Sequence, residues 1–102
     1  MSNDTPKVID APAKPVAVLA GSYVQFRNYA RDHPEPKPIF CDESYRFLGL
    51  EFSKMAVVGT FREKKNALAI YERVLPMLRP VTKKDIKEAR AAIAKAEGVL
   101  NE

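Results

Sequence analysis

The chain has 102 residues, of which 46% are hydrophobic and 29% charged, and its formal net charge is +4. This length and composition predict one globular domain and argue against a disordered chain, because enough apolar surface is present to form a core. No apolar run approaches the roughly 18 residues that cross a bilayer, and the amino terminus lacks the layout of a signal peptide. Cys41 is the single cysteine, so no intramolecular disulfide forms, and we predict a cytoplasmic protein without membrane contact.

Residues 1–15 are predicted to form a flexible N-terminal tail that precedes a single domain at residues 16–102. The tail carries prolines at positions 6, 12 and 15 and shows no apolar periodicity, so it offers little to a core. Deletion of residues 1–14 is therefore expected to change stability only slightly.

The first strand and helix are predicted from an apolar run that ends in a glycine and a hydroxyl residue. Residues 16–20 are consecutive apolar residues, and Gly21 and Ser22 follow them. Such a run is typical of a buried parallel strand, glycine permits a tight turn, and serine caps a following helix. The helix is expected to end before the segment 32–38, because repeated prolines remove backbone donors and disfavour helical geometry.

The second strand is predicted at residues 38–41, and the third, at residues 54–58, repeats the pattern of the first. The segment Met55-Ala-Val-Val-Gly-Thr60 is again an apolar run closed by glycine and a hydroxyl residue. Between these strands, residues 44–52 fit either a short helix or an irregular crossover, since Gly49 interrupts apolar residues at helical spacing.

Two further helices are predicted after the third strand. Residues 63–78 carry apolar residues at helical spacing, and Pro76 is expected to kink or end this helix. Residues 82–100 begin with a capping-box spacing from Thr82 to Asp85. The last helix carries a narrow apolar stripe, which we expect to pack on helix 63–78: Ile86, Ala89, Ile93, Ala96 and Leu100.

The predicted order of elements is β-α-β-(α)-β-α-α. Right-handed crossovers between parallel strands place the first strand between the other two, in the order 2-1-3. The fold class is therefore predicted as α/β: a small three-stranded parallel sheet with flanking helices and a C-terminal helix.

All three strands then end at one edge of the sheet, the edge at which open α/β folds bind ligands. The residues that follow the strands supply turn amides, hydroxyl groups, a carboxylate, aromatic rings and a guanidinium. We predict a ligand or partner site formed from Gly21, Ser22, Tyr23, Asp42, Gly59, Thr60, Phe61 and Arg62. The chain has no P-loop and no dinucleotide-binding glycine pattern, so a capped turn explains each Gly-hydroxyl pair equally well.

No catalytic residue, metal site or cofactor is predicted. Cys41 is followed by Asp42 and Glu43, whose charges raise the pKa of a thiol, and position 47 lacks the arginine of a phosphate-transferring loop. A buried cysteine at a strand end is the better interpretation. His33 lies in a proline-rich loop, and no cysteines and histidines have zinc-ligand spacing.

Three segments carry a resemblance to a known group of proteins: Ala20-Gly-Ser-Tyr-Val-Gln-Phe26, Arg46-Phe-Leu-Gly-Leu50 and Val57-Val-Gly-Thr-Phe61. Together they resemble small bacteriophage proteins of unassigned role, over residues 16–78. The resemblance implies a phage-encoded, Rossmann-like α/β domain at residues 16–102 that acts in the cytoplasm of the host. It transfers no catalytic residue to this chain.

Three functions stay open at this point. The first, favoured by the small size and the resemblance, is a non-catalytic accessory protein that binds a host protein as a monomer. The second is a nucleotide- or phosphate-binding domain that uses the strand ends. The third is a nucleic-acid-binding protein that uses the basic region 62–90. Its patch would consist of Lys64, Lys65, Arg73, Lys83 and Lys84, although a solvated helix face explains the same charges.

Overall fold

The computed structural model describes residues 13–100 of the chain. Three strands form a parallel sheet in the order β2-β1-β3, with β1 at Val16–Ala20, β2 at Pro38–Phe40 and β3 at Lys54–Val58. In register, Ala17 stands opposite both Ile39 and Met55. The predicted parallel order 2-1-3 is confirmed, with β1 in the centre and β2 and β3 on either side.

Three helices flank this sheet: α1 at Tyr23–Asp32, α2 at Lys64–Val74 and α3 at Lys83–Leu100. Ser22 caps α1, since its hydroxyl oxygen accepts from the Gln25 amide at 3.2 Å. Thr82 caps α3 in the same way, through a 3.0 Å bond from the Asp85 amide. Both caps follow from a hydroxyl residue placed directly before a helical pattern.

Pro76 ends the second helix as predicted. The α-helical part stops at Val74, and a 3-10 turn at Leu75–Met77 contains the proline. The chain then forms one parallel bridge between Leu78 and Phe52, the latter two residues before β3. The Phe52 amide donates to the Met77 carbonyl at 3.0 Å, so the segment after α2 is fixed beside the entrance to β3.

The segment between β2 and β3 is an irregular crossover, and the alternative of a short helix is not realised. Its turns are anchored by Phe47, whose ring is 1% exposed, and the segment ends at the fully buried Phe52. Gly49 has a φ of 91°, a conformation that a helix does not contain. Burial of the two aromatic rings therefore holds the crossover in place without regular hydrogen bonding.

The helices pack on opposite faces of the sheet, because successive residues of a strand point to opposite sides. Ala17 and Leu19 belong to the main core, which they form with α2 and the carboxyl half of α3. Val16 and Val18 are also buried but lie outside that core. They occupy the face that α1 covers through its contacts with all three strands.

The last helix packs along β3 as well as against α2. Ala89, Ala96 and Leu100 of the predicted apolar stripe are buried, whereas Ile86 at the amino end is 40% exposed. The prediction that this stripe packs on α2 therefore describes only part of the packing of α3, because β3 is a second partner. The first turns of α3 lie near the start of β3, where Glu88 binds Lys54 at 2.6 Å.

The residues just before β1 are hydrogen-bonded to the chain that enters β3. The Ser53 amide donates to the Pro15 carbonyl at 3.0 Å, and the Ser53 hydroxyl donates to the Lys14 carbonyl at 3.2 Å. Positions 14 and 15 of the predicted tail are thus held against the sheet. Positions 1–12 lie outside the described residues.

Candidate functional site

A cavity of about 320 Å³ opens at the carboxyl edge of the sheet. It lies between the ends of β1 and β2 and the first turns of α2, and its volume is at the lower end of the range for small-molecule sites, about 300 to 1,000 Å³. Four residues of the sequence-predicted site line it: Gly21, Asp42, Phe61 and Arg62. The carboxyl edge of the sheet is therefore concave, as ligand binding requires.

The inner wall of the cavity is apolar. Leu19 and Cys41 come from the ends of β1 and β2, and Ala67 and Ile70 come from α2. All four are buried members of the main core. An apolar wall suits the flat face of a ring, because the removal of two apolar surfaces from water is favourable.

The rim of the cavity is polar and carries more negative than positive charge. Asp42 and Glu43 stand at the end of β2, and Arg62 and Glu63 stand in the loop that leads into α2. Asn66 adds a neutral amide from the first turn of that helix. The rim thus offers hydrogen-bond acceptors on one side and a mixture of donors and acceptors on the other.

Asp42 is the polar group of the rim that a neighbouring residue holds by hydrogen bonds. Its Oδ1 accepts from the Ser44 hydroxyl at 2.6 Å and from the Ser44 amide at 3.2 Å. The Tyr45 amide also donates to the Asp42 carbonyl, at 3.1 Å. An aspartate that binds the backbone two residues ahead forms a compact turn. Because these bonds engage Oδ1, Oδ2 is the oxygen that remains for a donor on a ligand.

The turn between β1 and α1 is closed by its own hydrogen bonds. The Gly21 amide donates to the Val58 carbonyl at 3.2 Å, and the Ser22 hydroxyl is occupied by the Gln25 amide. A Cβ at position 21 would overlap the carbonyl oxygen of Thr60. Glycine is therefore required here by the close approach of two backbones, and Ser22 acts as a cap outside the cavity lining.

The turn after β3 is filled by the side chain of Gln25. Gly59 has a φ of 79°, and the space that a Cβ would take there is already occupied by the Gln25 amide. The Oε1 atom of Gln25 is buried and has no hydrogen-bond partner among the described residues. Gly59 and Thr60 therefore belong to a packed junction between the β1 and β3 turns and do not line the cavity.

Tyr23 stands apart from the cavity, on the face of the sheet that α1 covers. Its ring centroid lies 5.9 Å from that of Phe26 and 6.0 Å from that of Phe40. Phe26 and Phe40 are stacked at 5.0 Å. Tyr23 is nevertheless 59% exposed, and the neighbouring Val24 is 62% exposed, so this first turn of α1 presents apolar surface to solvent.

Cys41 is a core residue, in agreement with its interpretation as a buried strand-end cysteine. It is 2% exposed, and its thiol donates weakly to the Ile39 carbonyl at 3.7 Å. Burial raises the pKa of the thiol to about 12, and the charge of Asp42 adds to the effect. The thiol is therefore protonated at neutral pH and is not a nucleophile there.

The predicted basic residues are distributed over the molecule. Lys64 and Lys65 open α2 near the carboxyl edge of the sheet, whereas Lys83 and Lys84 open α3. Since Glu88 of α3 binds the first residue of β3, the second lysine pair lies toward the opposite edge. Arg73 lies with its guanidinium carbon 5.5 Å from the ring centroid of Tyr45.

Sequence reasoning missed the contribution of α2 to the cavity. Glu63, Asn66, Ala67 and Ile70 line it, and their spacing of three, one and three residues places them on one face of the helix. That spacing is visible in the sequence. The sequence does not show whether this helix face lies beside β2 or beside β3. That placement depends on the path of the chain after β3.

Other features of residues 13–100 are less suited to a site. A second depression is lined by Ala13, Pro34, Glu35, Pro36 and Lys37, which are mostly exposed. Within residues 13–100, no group of histidines, cysteines and acidic residues has the arrangement of a metal site. No helix in that part of the chain is long and apolar enough to span a membrane.

Comparison with known proteins found no matching family model, no matching curated protein and no matching solved structure.

Proposed function

We propose that this domain binds a small ring-bearing ligand with hydroxyl groups, of the nucleoside and nucleotide class, in the cavity at the carboxyl edge of the sheet. The observation that carries the proposal is the pairing of an apolar wall with an ordered carboxylate. Leu19 and Ile70 offer a surface for a planar base, and Asp42 stands at the rim with Oδ1 held by Ser44.

A strand-end carboxylate suits ribose for a geometric reason. The Oδ2 atom of Asp42 can accept a hydrogen bond from a ribose hydroxyl group, and a charged acceptor makes stronger bonds than a neutral one. The Ser44 bonds restrict the rotation of the Asp42 side chain, so less entropy is lost when a ligand binds. Asn66 supplies a further donor and acceptor across the cavity.

The experiment is an amide-shift titration of labelled protein with adenosine, guanosine, cytidine and uridine. Saturable shifts are expected at residues 19–21, 41–44 and 61–70, which border the cavity. The variant Asp42→Asn keeps an oxygen for the Ser44 bonds but loses the charge. Its affinity should fall about 10-fold or more, because a bond to a charged group contributes roughly 1.5 to 3 kcal/mol.

Asp32→Asn is the matched control. Asp32 is an exposed carboxylate at the end of α1, paired with Arg31 at 3.7 Å, and it does not border the cavity. The control variant should bind as the original protein does. Absence of saturable shifts with all four nucleosides, or equal loss in both variants, would count against the proposal.

A protein partner is the second candidate, because Tyr23 and Val24 expose apolar surface on adjacent positions of α1. Aromatic residues at exposed positions are enriched among the residues that dominate protein interfaces. The expectation of a bacterial host protein comes from the phage resemblance. Tyr23→Ala should then lose a bound bacterial protein that Arg27→Ala retains, in a pull-down with purified domain.

A further inference from the structure

The outer face of α3 concentrates positive charge. Five exposed residues of this helix are basic: Lys83, Lys84, Lys87, Arg90 and Lys95. Of its acidic residues, Asp85 and Glu88 are half-buried, and Glu97 is exposed. We infer that this face binds the major groove of duplex DNA, with its basic side chains on the phosphates. No residue of α3 lines the cavity, so this surface is separate from the proposed ligand site and does not depend on it.

Most of these cations are not neutralised by a neighbour. Lys84 lies 4.0 Å from Glu88 Oε2, and the other oxygen of that carboxylate binds Lys54 at 2.6 Å. Among residues 13–100, the other four basic residues of this face form no ion pair: Lys83, Lys87, Arg90 and Lys95. When such cations pair with the phosphates of DNA, condensed counterions are released, and this release favours binding.

The centre of the face consists of small residues. Ala91, Ala94 and Gly98 are exposed and follow one another at spacings of three and four, so they form one strip along the helix. A Cβ at Gly98 would meet nothing within 4 Å. Lys87 continues the strip toward the amino end, four residues before Ala91. Small side chains allow a ligand to approach the helix backbone closely.

Basic residues border this strip on both sides. Lys83 and Arg90 are seven residues apart, and Lys84 and Lys95 are eleven residues apart. Seven and eleven residues are close to two and three whole turns of a helix, so each pair forms a row along the helix axis. With 3.6 residues per turn, the two rows lie on opposite sides of the small strip.

This arrangement matches the major groove of B-form DNA. The groove is about 12 Å wide and admits an α-helix, whose diameter with side chains is about 10 to 12 Å. The small strip then faces the floor of the groove, and the two basic rows face the phosphates of the two strands. From Lys83 to Lys95 the helix rises about 18 Å, a length over which a duplex carries about ten phosphates.

Two other polyanions fit this face less well. A helix that lies on an anionic membrane buries large apolar residues beside its cations, and Ile86 is the one large apolar side chain exposed on α3. Duplex RNA has a deep and narrow major groove that side chains do not read. Duplex DNA is therefore the ligand that the charge and the small central strip favour together.

The test is fluorescence anisotropy of a labelled DNA duplex of about 20 base pairs, titrated with the full chain at roughly 50 to 200 mM salt. The logarithm of the affinity should fall with the logarithm of the salt concentration with a slope of about −4, because each neutralised phosphate contributes about −0.9. The triple variant Lys87→Gln, Arg90→Gln and Lys95→Gln should bind about 10-fold or more weakly at the lowest salt concentration. Its slope should be smaller in magnitude by about 3.

Two further variants control for net charge and test the shape of the face. The first removes three exposed cations outside α3: Arg27→Gln, Lys37→Gln and Arg46→Gln. It has the same net charge as the α3 triple variant and should keep the slope of the original protein. The second, Ala94→Leu, keeps the charge and the helix propensity but fills the centre of the strip, so it should bind DNA severalfold more weakly. Circular dichroism verifies that each variant is folded.

Equal loss of affinity in the two triple variants would overturn the assignment of DNA binding to α3, and unchanged binding by Ala94→Leu would overturn the docking in a groove. Duplex RNA of the same length that binds as tightly as DNA would overturn the choice of ligand. Absence of saturable DNA binding would also overturn it, whether or not vesicles of phosphatidylglycerol bind. These results leave the proposed ligand of the cavity untouched, because the altered residues do not line it.

Discussion

Replacement of Gly59 by alanine is expected to destabilise the domain more than the same replacement at Gly49. Both glycines have a positive φ, 79° at Gly59 and 91° at Gly49, and a left-handed backbone costs an L-residue roughly 1 to 2 kcal/mol. At Gly49 a Cβ would meet nothing within 4 Å, whereas at Gly59 it would overlap the amide of Gln25. The two variants therefore share the backbone cost and differ in the steric one.

The steric cost can be worked out from the surroundings of Gln25. Its amide is packed between the β1 and β3 turns with a buried Oε1, so it must leave a filled space before a methyl group can enter. Overpacking costs about 1 to 3 kcal/mol, and the low end of that range applies here because the clashing group is the terminal amide of a flexible, half-buried side chain. Gly59→Ala should thus lose that much more stability than Gly49→Ala, a difference in melting midpoint of roughly 4 to 8 °C per kcal/mol for a domain of this size.

A double-mutant cycle with Gln25→Ala measures the steric part directly. Urea unfolding followed by circular dichroism gives the free energy of unfolding for each variant. In the Gln25→Ala background, Gly59→Ala should cost no more than Gly49→Ala, and the coupling energy should reach about 0.5 to 3 kcal/mol. If the excess cost at Gly59 persists without the Gln25 side chain, the packing that we describe for this junction is wrong.

Two further predictions concern the core and its single thiol. Phe52→Ala should lower the free energy of unfolding by about 3 to 5 kcal/mol, because the ring is fully buried; a loss below 1 kcal/mol in urea unfolding would contradict the placement. Cys41 should resist a thiol-specific disulfide reagent at pH 8 in the folded domain and react on unfolding. Folding raises the pKa of the Cys41 thiol from 9.0 to about 12. The contribution of the protonated thiol to the free energy of unfolding is therefore full below pH 9.0 and is lost as the pH rises toward 12. Rapid modification of the folded domain at pH 8 would refute the raised pKa.

The strands and their order were predictable because the relevant signals are local. Residues 16–20 and 54–58 are apolar runs closed by glycine and a hydroxyl residue, and this pattern places a parallel strand before a helix. Right-handed crossovers allow the order 2-1-3 that the sheet has, in which the connections after β1 and β2 lie on opposite faces. The cap at Ser22 and the helix end at Pro76 were predictable for the same reason, since each depends on its immediate neighbours.

The residues that line the cavity were predicted only in part, because its geometry depends on contacts between distant segments. Gly21, Asp42, Phe61 and Arg62 do line one cavity. The approach of Gly21 to Thr60 takes the rest of the turn out of it, and no spacing along the chain reports that distance. The polar contribution of Asn66 requires knowledge of the path of α2.

The anchoring of the chain before β1 was hidden for a similar reason. Lys14 and Pro15 belong to a proline-rich segment that resembles a tail by composition. Their carbonyl groups are acceptors for Ser53, 38 and 39 positions later in the chain. Composition describes what a segment can bury, but it does not report which backbone groups a distant residue will bind.

The most direct test of the ligand site is a crystal structure of the domain soaked with adenosine at a saturating concentration. The proposed function predicts density in the cavity between β1, β2 and α2, with a ribose hydroxyl group within hydrogen-bond distance of Asp42 Oδ2 and the base against Leu19 and Ile70. An empty cavity at saturation, or adenosine bound elsewhere on the domain, would contradict it.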